Sequence, residues 1–235
     1  MSIADPVYDV VPATRLRRLT ARKLRASVTE KPPVTLHRTV DATALSRLLD
    51  ELRRNATPDC RPTLTGVLAV LVARALAANP ILNSHLVDDE LRRFAEVHLA
   101  VAVATDAGLV PPVLRPIDLL DYAVATRRLA QVAEMARAGR LAPEDLAPAT
   151  FTLTSLGAWS IEYFTPILNP PQIGILGVGA LITEVAGDAT TQRLPLSLTF
   201  DHAAVGGVEA AQFLETLNQL LSDPAQACPA ATHSK

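Results

Sequence analysis

The fifteen residues from Leu64 to Ala78 carry a single charge, Arg74, and are apolar on nearly every face of a helix. A helix that is hydrophobic all round has to be covered all round. This segment, opened by Pro62-Thr63, therefore belongs at the centre of a layered domain. Its longest apolar run, Gly66 to Ala73, stops at Arg74 and is too short to span a bilayer. The material to surround it is present. Of 235 residues 49% are hydrophobic and only 4% aromatic, which predicts one good-sized core of Leu, Val and Ala.

The periodicity along the chain says what surrounds that helix. Val34, Leu36, Arg38 and Val40 alternate with Thr35, His37 and Thr39, and residues 97–103 alternate likewise; both read as strands. Further strands are expected at 109–114, 151–155, 173–182 and 195–200. Pro111 and Pro112 confine the first of these to an edge or an interrupted ladder. Helices are expected from Thr14 to Ser27, from an Asp41 cap through Leu45, Leu48, Leu49 and Leu52, over Asp121 to Ala138 with Gly139 as the stop, and over 208–221. Strands and helices do not alternate regularly, so the class is α+β, with helices covering a largely mixed sheet. One domain over 12–224 is expected, preceded by an arm at 1–11 and followed by a disordered tail at 225–235.

Charge and cysteines exclude several functions. The net charge of −2 and pI near 6.2 give no nucleic-acid footprint. The basic cluster of Arg15, Arg17, Arg18, Arg22, Lys23 and Arg25 is local and reads as a solvated or subunit-facing surface. Cys60 and Cys228 lack ligand spacing, which argues against a disulfide framework and a zinc site. No signal pattern opens the chain. A soluble, cytoplasmic protein without a metal is expected.

Candidate chemistry gathers near the C-terminus, at Asp201-His202-Ala203-Ala204-Val205-Gly206. Leu196, Leu198 and Phe200 alternate with Ser197 and Thr199 up to this point, so His202 leaves a strand. Gly206-Gly207 then let the backbone turn sharply or approach a ligand, and Val208, Ala211, Leu214, Leu217 and Leu221 follow at helical spacing. An imidazole at such a corner suits proton transfer. It also suits a capping or buried histidine that only satisfies a hydrogen bond. Among the other histidines, His233 is in the tail, His85 is expected in a loop, and His37 and His98 alternate within strands.

Four ordered blocks narrow these alternatives. Residues 196–224, with their DHAAVGG core, resemble the DHRxxDG signature of the acyltransferase components of 2-oxoacid dehydrogenase complexes. Phe151-Thr152-Leu153-Thr154-Ser155-Leu156-Gly157 resembles that family's FTISNLG segment. Residues 164–172 and 175–179 resemble FTPIINPPQxAILGVG, and residues 108–115 resemble GLVVPVLR. The resemblance runs from about Pro12 to Pro224. It implies a chloramphenicol acetyltransferase-like two-layer sandwich and an acyl-CoA co-substrate, with no tightly bound cofactor. It also implies that His202 is the catalytic base, its imidazole held by its own backbone carbonyl. Thr154 is then the hydroxyl that stabilises the oxyanion, an effect worth about 3–4 kcal/mol in comparable sites. In the family these two groups come from different subunits, so a homotrimer is implied, with larger cages left open.

The departures from the family shape the expected function. Gly206 stands where the family has Asp or Asn, and Ala203 where it has Arg. In relatives the acidic residue pairs with a basic one near the N-terminus. Arg17 matches that position and so is expected to have lost its partner, though it could also meet CoA phosphates. Trp159 and Tyr163 are candidates for the acceptor end of the channel, as is Gly206, with core or interface packing as the alternative for the two aromatic residues. No lipoyl or subunit-binding domain is expected upstream. Together these features favour transfer of acetyl from acetyl-CoA to a hydroxyl of a small molecule, by analogy a tetronate primary alcohol. The alternatives are a dihydrolipoamide acyltransferase served by a separate lipoyl protein, and an inactive scaffold.

Overall fold

The central helix forms where the sequence places it, over residues 64–78, with ten of its fifteen residues buried. The computed structural model describes residues 9–56, 61–106, 108–146, 148–187 and 189–227; Cys60, Cys228, His233 and most of the arm and tail lie outside the described residues. The elements run α1 (Arg15–Glu30), β1 (Pro33–Asp41), α2 (Thr43–Arg54), α3 (Leu64–Ala78), β2 (Ser84–Val87), β3 (Glu90–Arg93), β4 (Leu99–Val101) and β5 (Val103–Thr105). They continue with β6 (Gly108–Val110), β7 (Val113–Leu114), α4 (Tyr122–Arg137), β8 (Phe151–Ser155), β9 (Gly174–Val178), β10 (Ile182–Ala186), β11 (Ala189–Asp201), α5 (Gly207–Ser222) and α6 (Pro224–Ala227). This is an α+β fold with a mixed sheet and helices laid upon it.

The sheet runs in the order β1-β11-β9-β8-β4-β7, with β10 also paired to β11. The pairs β8–β9 and β4–β8 are parallel and the others antiparallel. Alternation sorts its two faces. Leu194, Leu196, Leu198, Phe200, Leu176, Val178, Phe151, Leu153, Leu99 and Val101 turn inward to the core, where α3 packs against α4, α5 and β4. The opposite face carries Thr35, His37 and Thr39 of β1, Ser197 and Thr199 of β11, and Thr152 and Thr154 of β8. That polar face is where the site lies.

Local chemistry sets the helix ends. The Thr63 hydroxyl accepts the Gly66 N–H at 3.1 Å, and the Asp121 carboxylate accepts the Val124 N–H at 2.7 Å. Both are N-cap bonds that satisfy donors the helix leaves free. Gly139, at φ +65°, takes the left-handed turn after α4. The Asp41 cap is corrected: Ala42 is the N-cap of α2. The Asp41 carboxylate still accepts the Thr43 N–H at 2.8 Å, and its bonds to Thr43 hold its pKa below the usual carboxylate value.

Several strands are shorter than the alternation suggests. The 97–103 strand stops at Val101, and β5 pairs instead with β6 in a separate hairpin. Pro111 and Pro112 have no N–H to give a ladder, so the 109–114 strand breaks there and only β7 stays, at the sheet's edge. The 173–182 strand divides into β9 and β10. His85 is not in a loop but in the β2–β3 hairpin, whose turn places Asp88 and Asp89 at φ 51° and 61°. Short polar side chains tolerate that region best after glycine.

In α5 the buried stripe is Ala210, Phe213, Leu214, Leu217 and Leu221, while Val208 is exposed. Helix α1 is largely exposed; its Ser27, which is buried, donates its hydroxyl to the Leu168 carbonyl at 2.9 Å. The start of the expected tail is ordered as α6, and the Pro224 carbonyl accepts the Tyr122 hydroxyl at 2.6 Å.

Candidate active site

A single register row crosses the polar face. Thr154 of β8 faces Gly177 of β9, Gly177 faces Ser197 of β11, and Ser197 faces His37 of β1. Residues 156–172 fold back over this row, and glycines in the motifs permit the approach. A Cβ at Gly177 would lie 2.8 Å from the Phe164 ring, and one at Gly157 would lie 2.6 Å from the Gly179 carbonyl oxygen. A Cβ at Gly179 would overlap the Glu162 carbonyl. The Leu156 N–H donates to the Val178 carbonyl and the Ala180 N–H to the Ile161 carbonyl, which sews the segment down.

Nearly every polar side chain on this face is committed to a partner. Thr35 and Thr199 share a hydrogen bond at 2.7 Å, and His37 Nδ1 meets the Ser197 hydroxyl at 2.9 Å. Tyr163 stands edge-on to the His37 ring and its hydroxyl is hydrogen-bonded to that of Thr39. The Thr152 hydroxyl donates to Gln172 at 2.6 Å and accepts from Asn169 at 3.2 Å, which anchors the Asn-Pro-Pro-Gln stretch. Thr154 is the exception. Its half-buried hydroxyl has no hydrogen-bond partner among the described residues, so it is free to donate to a bound group.

His202 sits on the turn that follows β11, and its backbone is held from several sides. Its N–H donates to the Pro32 carbonyl at 2.9 Å, extending the β1–β11 ladder by one step. The Ala204 and Val205 N–H groups both donate to the Asp201 carbonyl at 3.0 Å, and the buried Val205 side chain pins the turn to the core. The imidazole is exposed, 5.8 Å between ring centroids from Phe200. Its nitrogens have no partner among the described residues, so the implied bond to its own carbonyl is not made.

Sequence reasoning missed the pair beneath this turn. Asp201 is buried, its Oδ2 lies 2.7 Å from Lys31 Nζ, and its Oδ1 accepts the Ala203 N–H at 3.1 Å. One signal could have found it. Asp201 continues the Ser197–Thr199 parity at the end of β11, whose last eight residues are all buried, and a carboxylate there demands a cation.

The remaining candidates divide. Gly206 is the N-cap of α5 at φ −78°, and neither it nor Gly207 has a positive φ. Its N–H donates to the Glu209 carboxylate at 2.8 Å, and a Cβ there would meet only that carboxylate, at 3.4 Å. The turn therefore does not require glycine, which corrects the expectation of a sharp bend at this position. Arg17 is exposed and makes no ion pair among the described residues. Trp159 lies on a short 3-10 turn, 78% exposed, and Tyr163 is 40% exposed. Among the described residues no group of three or more ligating side chains could hold a metal ion, and no helix is long and apolar enough to cross a membrane.

One chain does not bring Thr154 and His202 together. Thr154 lies two strands from Ser197 in the same row, and His202 is five residues further along. At about 4.8 Å per strand and 3.3 Å per residue, their backbones are roughly 20 Å apart. Both groups are open, but to different parts of the surface.

Fold and motifs together define an acyltransferase catalytic domain. Residues 6–228 match the family of 2-oxoacid dehydrogenases acyltransferase (catalytic domain), and the chain belongs to that family. It is 38% identical over 229 residues to the dihydrolipoyllysine-residue acetyltransferase component of the acetoin cleaving system of Bacillus subtilis, covering 95% of this chain and 58% of that protein. Its fold matches the dihydrolipoamide acetyltransferase of Azotobacter vinelandii with a TM-score of 0.89 and 32% identity, covering 97% and 99% of the two chains. That structure belongs to a study of a serine, a histidine and an asparagine in the catalytic mechanism. A chloramphenicol acetyltransferase, at 12% identity and TM-score 0.54 over 81% and 86% of the chains, shares the fold. The chain spans about half the length of the curated relatives it matches.

Proposed function

We propose that this domain transfers an acetyl group between CoA and a dihydrolipoyl thiol, with His202 as general base and Thr154 as oxyanion donor. One observation carries the reading. The Thr154 hydroxyl, on a polar face where the neighbouring side chains are paired, and the His202 ring nitrogens, on the turn after β11, have no partner among the described residues, and these are the groups the chemistry needs. In the transfer, a His202 nitrogen takes the proton of the attacking thiol as its sulfur adds to the thioester carbonyl. The carbonyl oxygen becomes an oxyanion, to which the Thr154 O–H donates. Collapse expels the other sulfur as a thiolate, which takes the proton back from His202.

The separation within one chain gives this chemistry a quaternary requirement. Thr154 of one copy has to meet His202 of another, and a closed homotrimer satisfies this for every copy. Exposed Trp159, Ile161 and Ile167, close to Thr154 in sequence, are apolar surface that such a contact would cover. Trp159 and Tyr163 then border the acceptor end, with Tyr163 fixed in place by Thr39 and His37. The reading carries with it acetyl-CoA as co-substrate, no tightly held cofactor and a cytoplasmic setting.

The preference for an alcohol acceptor gives way to the thiol. One of its arguments was the replacement of the family's acidic residue by Gly206, and Gly206 is an ordinary helix cap where an added Cβ would meet only the Glu209 carboxylate. The two relatives named above at 38% and 32% identity are a dihydrolipoyllysine-residue and a dihydrolipoamide acetyltransferase. The test offers acetyl-CoA together with dihydrolipoamide or with each of a panel of primary alcohols. Acetylated dihydrolipoamide in large excess over any ester is expected. An ester formed faster than the thioester would return the domain to the alcohol reading.

A further inference from the structure

We propose that Lys31 and Asp201 are positioning residues for His202, bracing the turn that carries it. The inference rests on the reading of His202 as the base. The side chains of Lys31 and Asp201 are 9% and 1% exposed and meet at 2.7 Å. Such a contact, shielded from water, holds its geometry far better than an exposed ion pair.

The pair grips the turn at both ends. From β11, Asp201 uses every polar group it has. Its N–H donates to the Ile173 carbonyl, its own carbonyl accepts from Ala204 and Val205, Oδ1 accepts from Ala203 and Oδ2 meets Lys31. From the other side, Lys31 immediately precedes Pro32, whose carbonyl accepts the His202 N–H. The ion pair thus ties the residue before His202 to the residue before its backbone partner. Lys31 is itself anchored, since its N–H donates to the Ser27 carbonyl at the end of α1. The backbone of residues 201–205, which sets the direction in which the His202 side chain leaves the chain, is thus held by these bonds and by the pair.

Gly206 offers nothing comparable. It has no side chain, and its N–H is occupied by Glu209, which is exposed. Arg17 lies on the exposed face of α1 and makes no ion pair among the described residues. The N–H groups of residues 202–206 are nonetheless all bonded, and the Lys31–Asp201 contact is an ion pair at the base of the turn.

The test uses the full chain and two variants. Lys31→Met with Asp201→Asn removes both charges together, so neither is left buried and unpaired, and the amide oxygen can still accept the Ala203 N–H. Lys31→Arg keeps the charge. Amide exchange at 202–205 should accelerate about tenfold or more in the double variant, while Leu176 of β9 and Leu214 of α5 keep the parental rate. With acetyl-CoA and dihydrolipoamide, kcat should fall about tenfold while both KM values stay within about twofold, and Lys31→Arg should recover most of kcat. Parental exchange and parental kcat in the double variant would overturn the proposal. So would exchange that accelerates equally in β9 and α5, which is the mark of a pair that merely stabilises the fold. Should the double variant not fold, Lys31→Gln with Asp201→Asn, which removes both charges and puts a neutral amide pair in their place, carries the same comparison with the same outcomes. A parent that acetylates no dihydrolipoamide would sink the acyl-transfer reading, and the exchange arm would still decide the brace.

Discussion

Thr154 faces Gly177 across the parallel pair β8–β9, and the ring of Phe164 lies 2.8 Å from the point where a Cβ on Gly177 would be. The two motifs that contain these residues are thus one structural unit. A strand delivers the hydroxyl, and its neighbour gives up a side chain so that the chain can return over it. Gly157 and Gly179 do the same one step further on, where backbone meets backbone. What these glycines supply is closeness of approach, and none of the three has a positive φ.

Gly179→Ala tests that unit. The added methyl would overlap the Glu162 carbonyl, which is backbone and cannot rotate aside. Overpacking of this kind costs about 1–3 kcal/mol, so thermal unfolding should begin several degrees earlier. Acetyl transfer should fall as well, because the displaced segment begins just beyond Thr154.

Thr154→Val keeps the β-branched shape and removes the hydroxyl. That hydroxyl bonds nothing among the described residues, so the melting temperature should barely move. Loss of an oxyanion donor should lower kcat by about 10²–10³-fold, with KM for acetyl-CoA little changed, since the interaction is made in the transition state. Steady-state kinetics against acetyl-CoA checks both halves.

Gly206→Asn should be tolerated. Its φ of −78° suits any residue, and the nearest atom to a new Cβ is the flexible Glu209 carboxylate. Asparagine is a good N-cap and gains at most a few tenths of a kcal/mol over glycine. Denaturant unfolding should show equal or slightly higher stability, and dihydrolipoamide acetylation should persist. A large loss of either would mean that position 206 borders a bound substrate.

Regular periodicity made much of this fold legible in the sequence. The buried helix α3, the capped helix α4 and strands β1 and β8 lie close to their expected positions, because pattern and cap chemistry agreed there. Local reading failed where the chain changes partners. Nothing in residues 97–103 says that Val101 belongs to the main sheet and Val103 to a hairpin, since both alternate alike. The β2–β3 hairpin was hidden because its turn uses Asp88-Asp89 in place of a glycine. Thr154 and His202 stood out through their motifs, whereas Lys31 and Asp201, 170 positions apart, are joined only by the pairing of β1 with β11. Gly206 misled in another way, since a glycine in a turn invites a backbone argument that its dihedral angles do not support.

The pH dependence of stability has an identifiable source in His85. Burial is the main cause that lowers its pKa from 6.5, opposed by a bond from Nε2 to the Ala149 carbonyl at 2.8 Å and reinforced by Arg92 and Lys31. The unfolded chain therefore binds this proton at a higher pH than the folded one. Stability from His85 is complete above 6.5 and is lost as pH falls through 6.5 towards the lower folded value. Melting temperatures measured from pH 8 to 5 should decline below that point in the parent. In His85→Gln, which cannot take up the proton, the decline over this range should be smaller.

Acetyl transfer from acetyl-CoA to free dihydrolipoamide, compared between the parent and His202→Ala, tests the central claim most directly. Removing an exposed imidazole from a turn held by backbone bonds and by Lys31–Asp201 should leave the fold and assembly unchanged. The parent should form acetyl-dihydrolipoamide, and the variant should be slower by at least the ~10²–10⁴-fold that general-base catalysis contributes. A variant that turns over at the parental rate would remove His202 from the mechanism and contradict the account.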